Sequence, residues 1–393
     1  MSKPSIEVAI FDTTMRDGAQ SLPEKNQFAT GAKPDITRRI AGLGIDVIEA
    51  GFPVTPGDGE EVADVAKTVG QTEYGINTWQ NGELSGRIQR SPIIAGLCRV
   101  ALADIETTWD SLNSAKRARI HTFISTDPEH MRVKFPDKSP ETVLAMGRDA
   151  VRLAKELTMD HPDATVEFSA EAASTTDWEY LERVIKEALN QGADVINVPD
   201  TVGQRDPEWM KKFYTRVIDC VVRTNPEATT SAHNHNDLGL AVANTNMLVG
   251  AAIEYAIAHS QTVRLQCETT ICGLGERAGN ADVFPVVAGL FKFNPKTGLP
   301  VRWQFNPKKS VWTAGEVMGY ADMTVDRKSP IVGSDINKHR SGIHSDAIEK
   351  GGEGGHELYT PFHPVFWGHE QNAVHEDGKF QGRRGREAAN RKE

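Results

Sequence analysis

Eight short apolar runs, each followed by a longer amphipathic stretch, recur between residues 8 and 268. The runs are VAIFD (8–12), DVIEAGF (46–52), IIAGLCRV (93–100), RIHTFIS (119–125), TVEFSA (165–170), DVINVPD (194–200), TSAHNH (230–235) and TVRLQCE (262–268). Each is brief and bounded by turn formers, the pattern of a strand covered on both faces. Helical spacing fills the gaps. In DWEYLERVIKEALNQGAD (177–194), Trp178, Leu181, Val184, Ile185, Ala188 and Leu189 share one face, Asp177 stands as N-cap and Gly192 as stop. ETVLAMGRDAVRLAKEL (141–157) reads the same way. Eight strand–helix units predict an α/β fold, a (β/α)8 TIM barrel over residues 1–300. The competing arrangement is a doubly wound open sheet, but no run is followed by a Gly-x-Gly-x-x-Gly turn.

Past residue 300 the alternation stops, and residues 301–393 are expected to form a mainly helical linker or lid subdomain. The stretch LGLAVANTNMLVGAAIEYAIAHSQ (238–261) is a long helix almost without charge, apolar on more than one face. Such a helix is either fully buried in one subunit or shared with a second chain.

Composition narrows the function. A net charge of −10 without a basic block argues against nucleic acid and anionic membranes as partners. The basic end GRRGREAANRKE reads as a solvated tail. There is no apolar run of ~18 residues to span a membrane, and MSKPSIEVAIFD lacks a signal-peptide core. Four cysteines in 393 residues make no disulfide framework, and Cys267 with Cys272, lacking a second pair, make no zinc site. A cytoplasmic location with free thiols is the expectation.

In a barrel of this kind the chemistry sits where strands give way to loops at the C-terminal rim. The polar residues there are Arg16 and Asp17, Glu49, Arg99, His121, Ser169 and Glu171, Asp200 and Thr201, His233 and His235, then Glu276, Arg277 and Asn280. His233 and His235 are two apart, so in a strand both imidazoles face the same way. With the Asp17 carboxylate they make half of an octahedral site for Mn²⁺, Mg²⁺ or Zn²⁺, leaving positions for water or a chelating substrate. Arg16 is either a counter-ion to Asp17 or a fixed cation aimed at a developing oxyanion. The loop GLGERAGN lacks Walker spacing and reads as a mobile loop supplying Asn280. Asp200 and Glu49 are read as satisfying neighbouring loop amides.

DTTMRDG, RIHTF, EFSAE, INVPDTVG, HNHNDLGLAVAN, GLGERAGNA and PIVGSDINKHRSGIHSDAI together resemble, in order and over nearly the whole chain, the family of barrel metalloenzymes that comprises isopropylmalate, homocitrate and citramalate synthases. RIHTF and INVPDTVG are most similar to the isopropylmalate branch. The resemblance implies a divalent metal on Asp17, His233, His235 and Asn280. It implies that Arg16, His121, Ser169, Glu171 and Thr201 surround a 2-oxo acid and that Glu276 lies beside acetyl-CoA. It also implies that His344, with Tyr359, is brought over the barrel mouth. The implied reaction is a Claisen-type condensation of acetyl-CoA with 2-oxoisovalerate, the first committed step of leucine synthesis, in a homodimer. Arg16 would stabilise the alkoxide, and Glu171 and His344 would move protons.

The chain departs from the family pattern at Ala19, Ala172 and Gln204, in a longer helix after the seventh strand and in the near-terminal QGRRGRE. These departures leave homocitrate or citramalate synthesis open, and beside them a catalytically silent barrel with an interaction role. The resemblance also implies a short form without the family's C-terminal leucine-sensing domain.

Overall fold

The computed structural model describes residues 4–292, 298–339, 341–351 and 358–370. Among the described residues eleven strands run in chain order as β1 (Ile6–Asp12), β2 (Val47–Gly51), β3 (Tyr74–Gln80), β4 (Glu83–Arg90), β5 (Ile93–Arg99), β6 (Ala118–Ser125), β7 (Ala164–Glu171), β8 (Val195–Asn197), β9 (Thr229–His233), β10 (Val263–Thr269) and β11 (Val301–Gln304). Eight of them pair in parallel in the order β1, β2, β5, β6, β7, β8, β9, β10. The ring closes where β10 pairs with β1, in register from Ile6↔Val263 to Asp12↔Thr269. The eight predicted runs are the eight staves, and the open sheet is excluded by that closure.

The intervening helices follow their sequence signals. Asp177 accepts from the Glu179 backbone N–H to cap Trp178–Asn190, and Gly192 leaves it at φ +100°. That helix buries Leu181, Val184, Ile185, Ala188 and Leu189, at about 1.5–3 kcal/mol for each large side chain. The apolar helix after the seventh stave, Ala241–His259, buries Leu248, Val249, Ala252 and Tyr255 against the barrel. It leaves Ile257 exposed and Val242, Met247 and Ile253 half-buried. It is thus apolar on its outer side as well, the pattern read from its uncharged sequence.

Three strands lie outside the eight. β3 and β4 form an antiparallel hairpin, and β11 joins it to the barrel by pairing with β3 and with Ile6 and Glu7 at the start of β1. The hairpin signal was present in the sequence: Asn81 and Gly82, at φ +52° and +85°, are the Asn-Gly pair that a tight two-residue turn requires. β4 is an exposed edge, blunted by Glu83, Arg87 and Arg90. Because β11 meets the beginning of β1, this extension lies at the end of the barrel opposite the strand C-termini. An aromatic layer gathers there, with Phe291 against Trp79, Trp303, Phe366 and Trp367. The chain beyond β11 adds helices Ser310–Tyr320 and Gly342–Gly351 and a short turn, Pro364–Trp367. The basic tail and QGRRGRE lie outside the described residues. No helix among the described residues is long and apolar enough to cross a membrane. All four cysteines are free.

Inside the barrel, alternation puts polar side chains where many barrels hold aliphatic ones. Arg119 of β6 reaches Glu167 (3.0 Å) and Gln266 (2.6 Å), and Gln266 bonds Glu167 and the Ser231 hydroxyl. Buried charge of this kind is tolerated only when paired and hydrogen-bonded throughout. Burial leaves the Glu167 carboxyl pushed up to about 7. This layer supports the rim above it.

Candidate active site

β1 ends at Asp12, and the chain turns at once: the backbone N–H groups of Arg16, Asp17 and Gly18 all donate to the Thr13 carbonyl. This tight turn sets Arg16 and Asp17 side by side above the barrel axis. The Arg16 guanidinium is fixed on two sides, with Nε donating to Glu49 Oε2 (2.6 Å) and Nη1 to Asp17 Oδ1 (2.7 Å). Glu49 is wholly buried and also accepts from the Thr13 hydroxyl (2.6 Å) and lies 2.6 Å from His121 Nδ1. Its partners are side chains, not the loop amides expected for it. Burial raises its pKa, but Arg16 and then His121 outweigh that and hold the carboxyl well below its usual range.

His121 Nε2 continues the chain to Ser169 Oγ (2.7 Å), which accepts from Asn197 (2.8 Å). Burial alone would push His121 down, but Glu167 and Glu49 raise it, so the ring is held towards its charged form. Arg16, His121 and Ser169 are therefore one connected assembly. His121, Glu167 and Glu268 also stand close enough to share an ion. Both nitrogens of His121 are already engaged, so that group is a hydrogen-bonded layer of the core.

At the seventh stave, alternation works as expected. Asn234 turns outward to Tyr214 and Thr245, while His233 and His235 turn inward. The glycine-rich loop is laid against this strand end by backbone pairing of His235 with Asn280 and by Asn236 N–H donating to the Gly279 carbonyl (2.8 Å). Four side chains converge as a result. His233 Nε2 is 3.3 Å from His235 Nε2 and 3.7 Å from Asp17 Oδ2, and the Asn280 amide nitrogen donates to that same oxygen. All four residues are buried.

The electrostatics suit a cation. Burial lowers His233 to about 4, and burial with the neighbouring imidazole lowers His235 to about 3, so both rings are neutral and offer lone pairs. Burial would raise Asp17, but the Arg16 guanidinium, with the hydrogen bond from Asn280, outweighs it and keeps the carboxyl below its usual range. Asn280 Oδ1 and His235 Nδ1 are buried with no hydrogen-bond partner among the described residues. An orphaned acceptor costs about 1–3 kcal/mol. Two neutral imidazoles, a carboxylate and an amide oxygen freed by rotating the carboxamide are the donor set of a divalent ion. Asp17, His233 and His235 alone already place one donor atom each within 4.8 Å of the others. The residues fit a divalent metal.

The loop that carries Asn280 depends on Gly279, at φ +94°, where a Cβ would stand 2.1 Å from the Gly273 carbonyl oxygen. Gly279→Ala is expected to shift Asn280 and weaken Mn²⁺ binding about tenfold or more, from a left-handed penalty of ~1–2 kcal/mol plus the clash. Calorimetric titration of the metal-free protein measures it, and an unchanged affinity would remove the loop from the site.

The other predicted residues have these partners. Glu171 is at the rim but is clasped by Lys134 through both oxygens (2.6 and 2.7 Å) and by Ser125. Thr201 accepts the Ala172 N–H (3.0 Å). Glu276 is exposed on its loop, while the adjacent Arg277 grips Asp237 with two nitrogens and the Thr201 carbonyl with one. Asp200 accepts from Ser174 and the Arg205 N–H, as expected of it. Arg99 pairs with Asp104 on the surface. His344 stacks on Tyr359, ring centres 4.0 Å apart, with His339 beside them. Tyr359 is three residues, at most about 11 Å of chain, from Phe362 in the aromatic layer. His344 and Tyr359 thus pack on each other within the chain beyond β11.

Sequence reading missed Glu268, which lies 2.9 Å from His233 Nδ1, and the Glu167, Gln266 and Arg119 layer below it. The signal was available: Gln266 and Glu268 share a strand face, as do Arg119 and His121. A cavity of about 340 Å³ opens beside Arg16, lined also by Ala19, Gln20, Phe28, Lys33 and Phe52.

The HMGL-like family model matches residues 7–302, the span that holds the whole cluster. A 2-isopropylmalate synthase of Carboxydothermus hydrogenoformans is 38% identical over 344 residues, covering 87% of this chain and 59% of that protein. One from Pyrococcus furiosus is 36% identical, covering 88% and 61%, and the chloroplastic 2-isopropylmalate synthase 2 of Arabidopsis thaliana is 38% identical, covering 90% and 51%. The chain spans about three-fifths or less of the length of these curated relatives. The fold resembles that of an HMG-CoA lyase from Acinetobacter baumannii solved with coenzyme A and 3-methylmalate (TM-score 0.57, 17% identity, 81% of this chain and 92% of that one). It also resembles that of an HMG-CoA lyase from Brucella melitensis (TM-score 0.56, 16% identity, 81% and 98%). With a barrel closed as the alternation requires and a family match across all eight staves, the chain belongs to the HMGL-like family.

Proposed function

We propose that this chain carries the catalytic barrel of a 2-isopropylmalate synthase, joining acetyl-CoA to 2-oxoisovalerate in leucine synthesis. The observation that carries this reading is the convergence of Asp17, His233, His235 and the orphaned Asn280 oxygen beside a doubly anchored Arg16. The names of the relatives supply the substrates. Asp17, His233, His235 and Asn280 hold Mn²⁺ or Mg²⁺, with Zn²⁺ the third choice. When bound, such an ion supplies Lewis-acid polarisation of the 2-oxo acid's ketone.

The chain's own groups do the rest. Arg16, locked between Glu49 and Asp17, presents a fixed cation to the ketone oxygen as it becomes an alkoxide, at no cost of reorganisation. His121, Ser169 and Thr201 surround the oxo acid, and Glu276 with Tyr359 faces acetyl-CoA. A base takes a proton from the acetyl methyl group, and the resulting carbon nucleophile bonds to the ketone carbon. The alkoxide takes up a proton, and water then cleaves the thioester to release the CoA thiol. Glu171 and His344 are the proton-transfer groups. Lys134 must yield its hold on Glu171, and the segment bearing His344 must close over a mouth, for both to act. Residues 301–393 serve as that lid subdomain, the protein works in the cytoplasm, and the apolar outer side of Ala241–His259 supports a homodimer.

The test is thiol release from acetyl-CoA with 2-oxoisovalerate, 2-oxoglutarate or pyruvate, with and without Mn²⁺ or Mg²⁺. Metal-dependent release with 2-oxoisovalerate is expected. Release confined to 2-oxoglutarate or pyruvate would make the chain a homocitrate or citramalate synthase. No release with any of them, in a protein that binds no metal, would leave a silent barrel.

A further inference from the structure

Glu268 lies opposite His233 in the β9–β10 register and is buried beneath the rim. Its Oε2 is 2.9 Å from His233 Nδ1, and its Oε1 accepts from the Ser231 hydroxyl at 3.0 Å. Ser231 in turn accepts from Gln266 Nε2 at 3.0 Å, so the carboxylate is held at both ends by the barrel interior. Burial raises the Glu268 carboxyl, with His121 and Arg16 pulling the other way. Facing the ionised carboxylate, which only accepts, His233 donates from Nδ1 and keeps its lone pair on Nε2. That nitrogen is the one that faces His235 Nε2 at 3.3 Å and Asp17 Oδ2 at 3.7 Å. His235 has no comparable partner, because its Nδ1 is buried without one among the described residues.

We infer that Glu268 is a positioning residue that presets the tautomer and ring orientation of His233, so that Nε2 is ready to ligate before any ion arrives. The inference rests on the metal reading of the site. Ligating histidines that lose such a partner bind metal about 10–100-fold more weakly. Without the acceptor, the ring is free to carry its proton on either nitrogen and to turn over, and each turned state removes one ligand.

The experiment compares wild type, Glu268→Gln and Tyr214→Phe as full-length, metal-free protein. Tyr214→Phe removes a buried hydrogen bond to Asn234, between the two histidines, without touching either ring. Mn²⁺ affinity is measured by calorimetry, and the histidine tautomers are read from ¹⁵N–¹H correlation spectra. Wild type should show His233 as a single Nδ1–H tautomer and His235 as a mixture. Glu268→Gln should weaken Mn²⁺ about tenfold or more and mix the His233 tautomers, while Tyr214→Phe leaves both readouts unchanged. If Glu268→Gln does not fold, Ser231→Ala, which frees one oxygen of Glu268, should show the same change at smaller size. Wild-type affinity and tautomer in Glu268→Gln would overturn the inference, as would equal losses in Glu268→Gln and Tyr214→Phe. A wild type that takes up no Mn²⁺ ends the metal reading instead, and the tautomer spectra still decide whether Glu268 sets His233.

Discussion

His235→Ala is expected to lose Mn²⁺ binding at concentrations that saturate the wild type and to lose turnover by about three orders of magnitude or more. His235 is buried, neutral and 3.3 Å from His233 Nε2, and its second nitrogen has no partner among the described residues. Its removal opens a small space at the rim without unpairing any charge, so the fold should survive. The expected loss of rate follows from a Lewis-acid contribution of several kcal/mol, at ~1.4 kcal/mol per tenfold. His233→Ala should do the same and in addition leave Glu268 with one partner fewer. Steady-state turnover after chelation and metal replacement, with metal content measured on each protein, checks both variants. Full activity in a chelated His235→Ala protein would mean that the four converging groups serve some other purpose.

Arg16→Ala is expected to be the most destabilising single change at the rim. Glu49 is wholly buried, and Arg16 is its principal counter-charge. Removing one partner of a buried pair costs about 3–5 kcal/mol, because the remaining charge stays where water cannot reach it. Turnover should fall about 10²–10³-fold even in the folded fraction, through loss of the fixed cation. Arg16→Lys separates the two effects. A single ammonium can face Glu49 or Asp17 but cannot fork between them as Nε and Nη1 do. It should recover part of the stability and little of the rate. Denaturant midpoints and kcat on the three proteins measure this, and an Arg16→Lys protein with wild-type turnover would reduce Arg16 to a counter-ion.

The barrel was legible in the chain because period-two and period-3.6 patterns are local: eight runs and eight amphipathic stretches need no knowledge of what each touches. The two histidines were legible for the same reason, since residues two apart in a strand must share a face. The Asn-Gly turn between β3 and β4 was equally local and was passed over, because its hairpin interrupts the strand–helix count without joining the ring. Glu268 shares a face with Gln266 in a run read as apolar, and the alternation rule applied to the histidines would have flagged both.

What single-chain pattern left open was which distant residues meet. Asp17 and Asn280 are far apart in sequence but touch because β10 closes on β1 and the glycine-rich loop pairs with His235. The partners of Glu49 and Glu171 likewise come from other elements of the barrel. The order of residues along the chain determined the type and number of elements, since backbone preference and side-chain period act over a few residues. Closure of the ring decided the site, since hydrogen bonds and buried charges act over about 3–4 Å, and only the folded cylinder brings their owners that close.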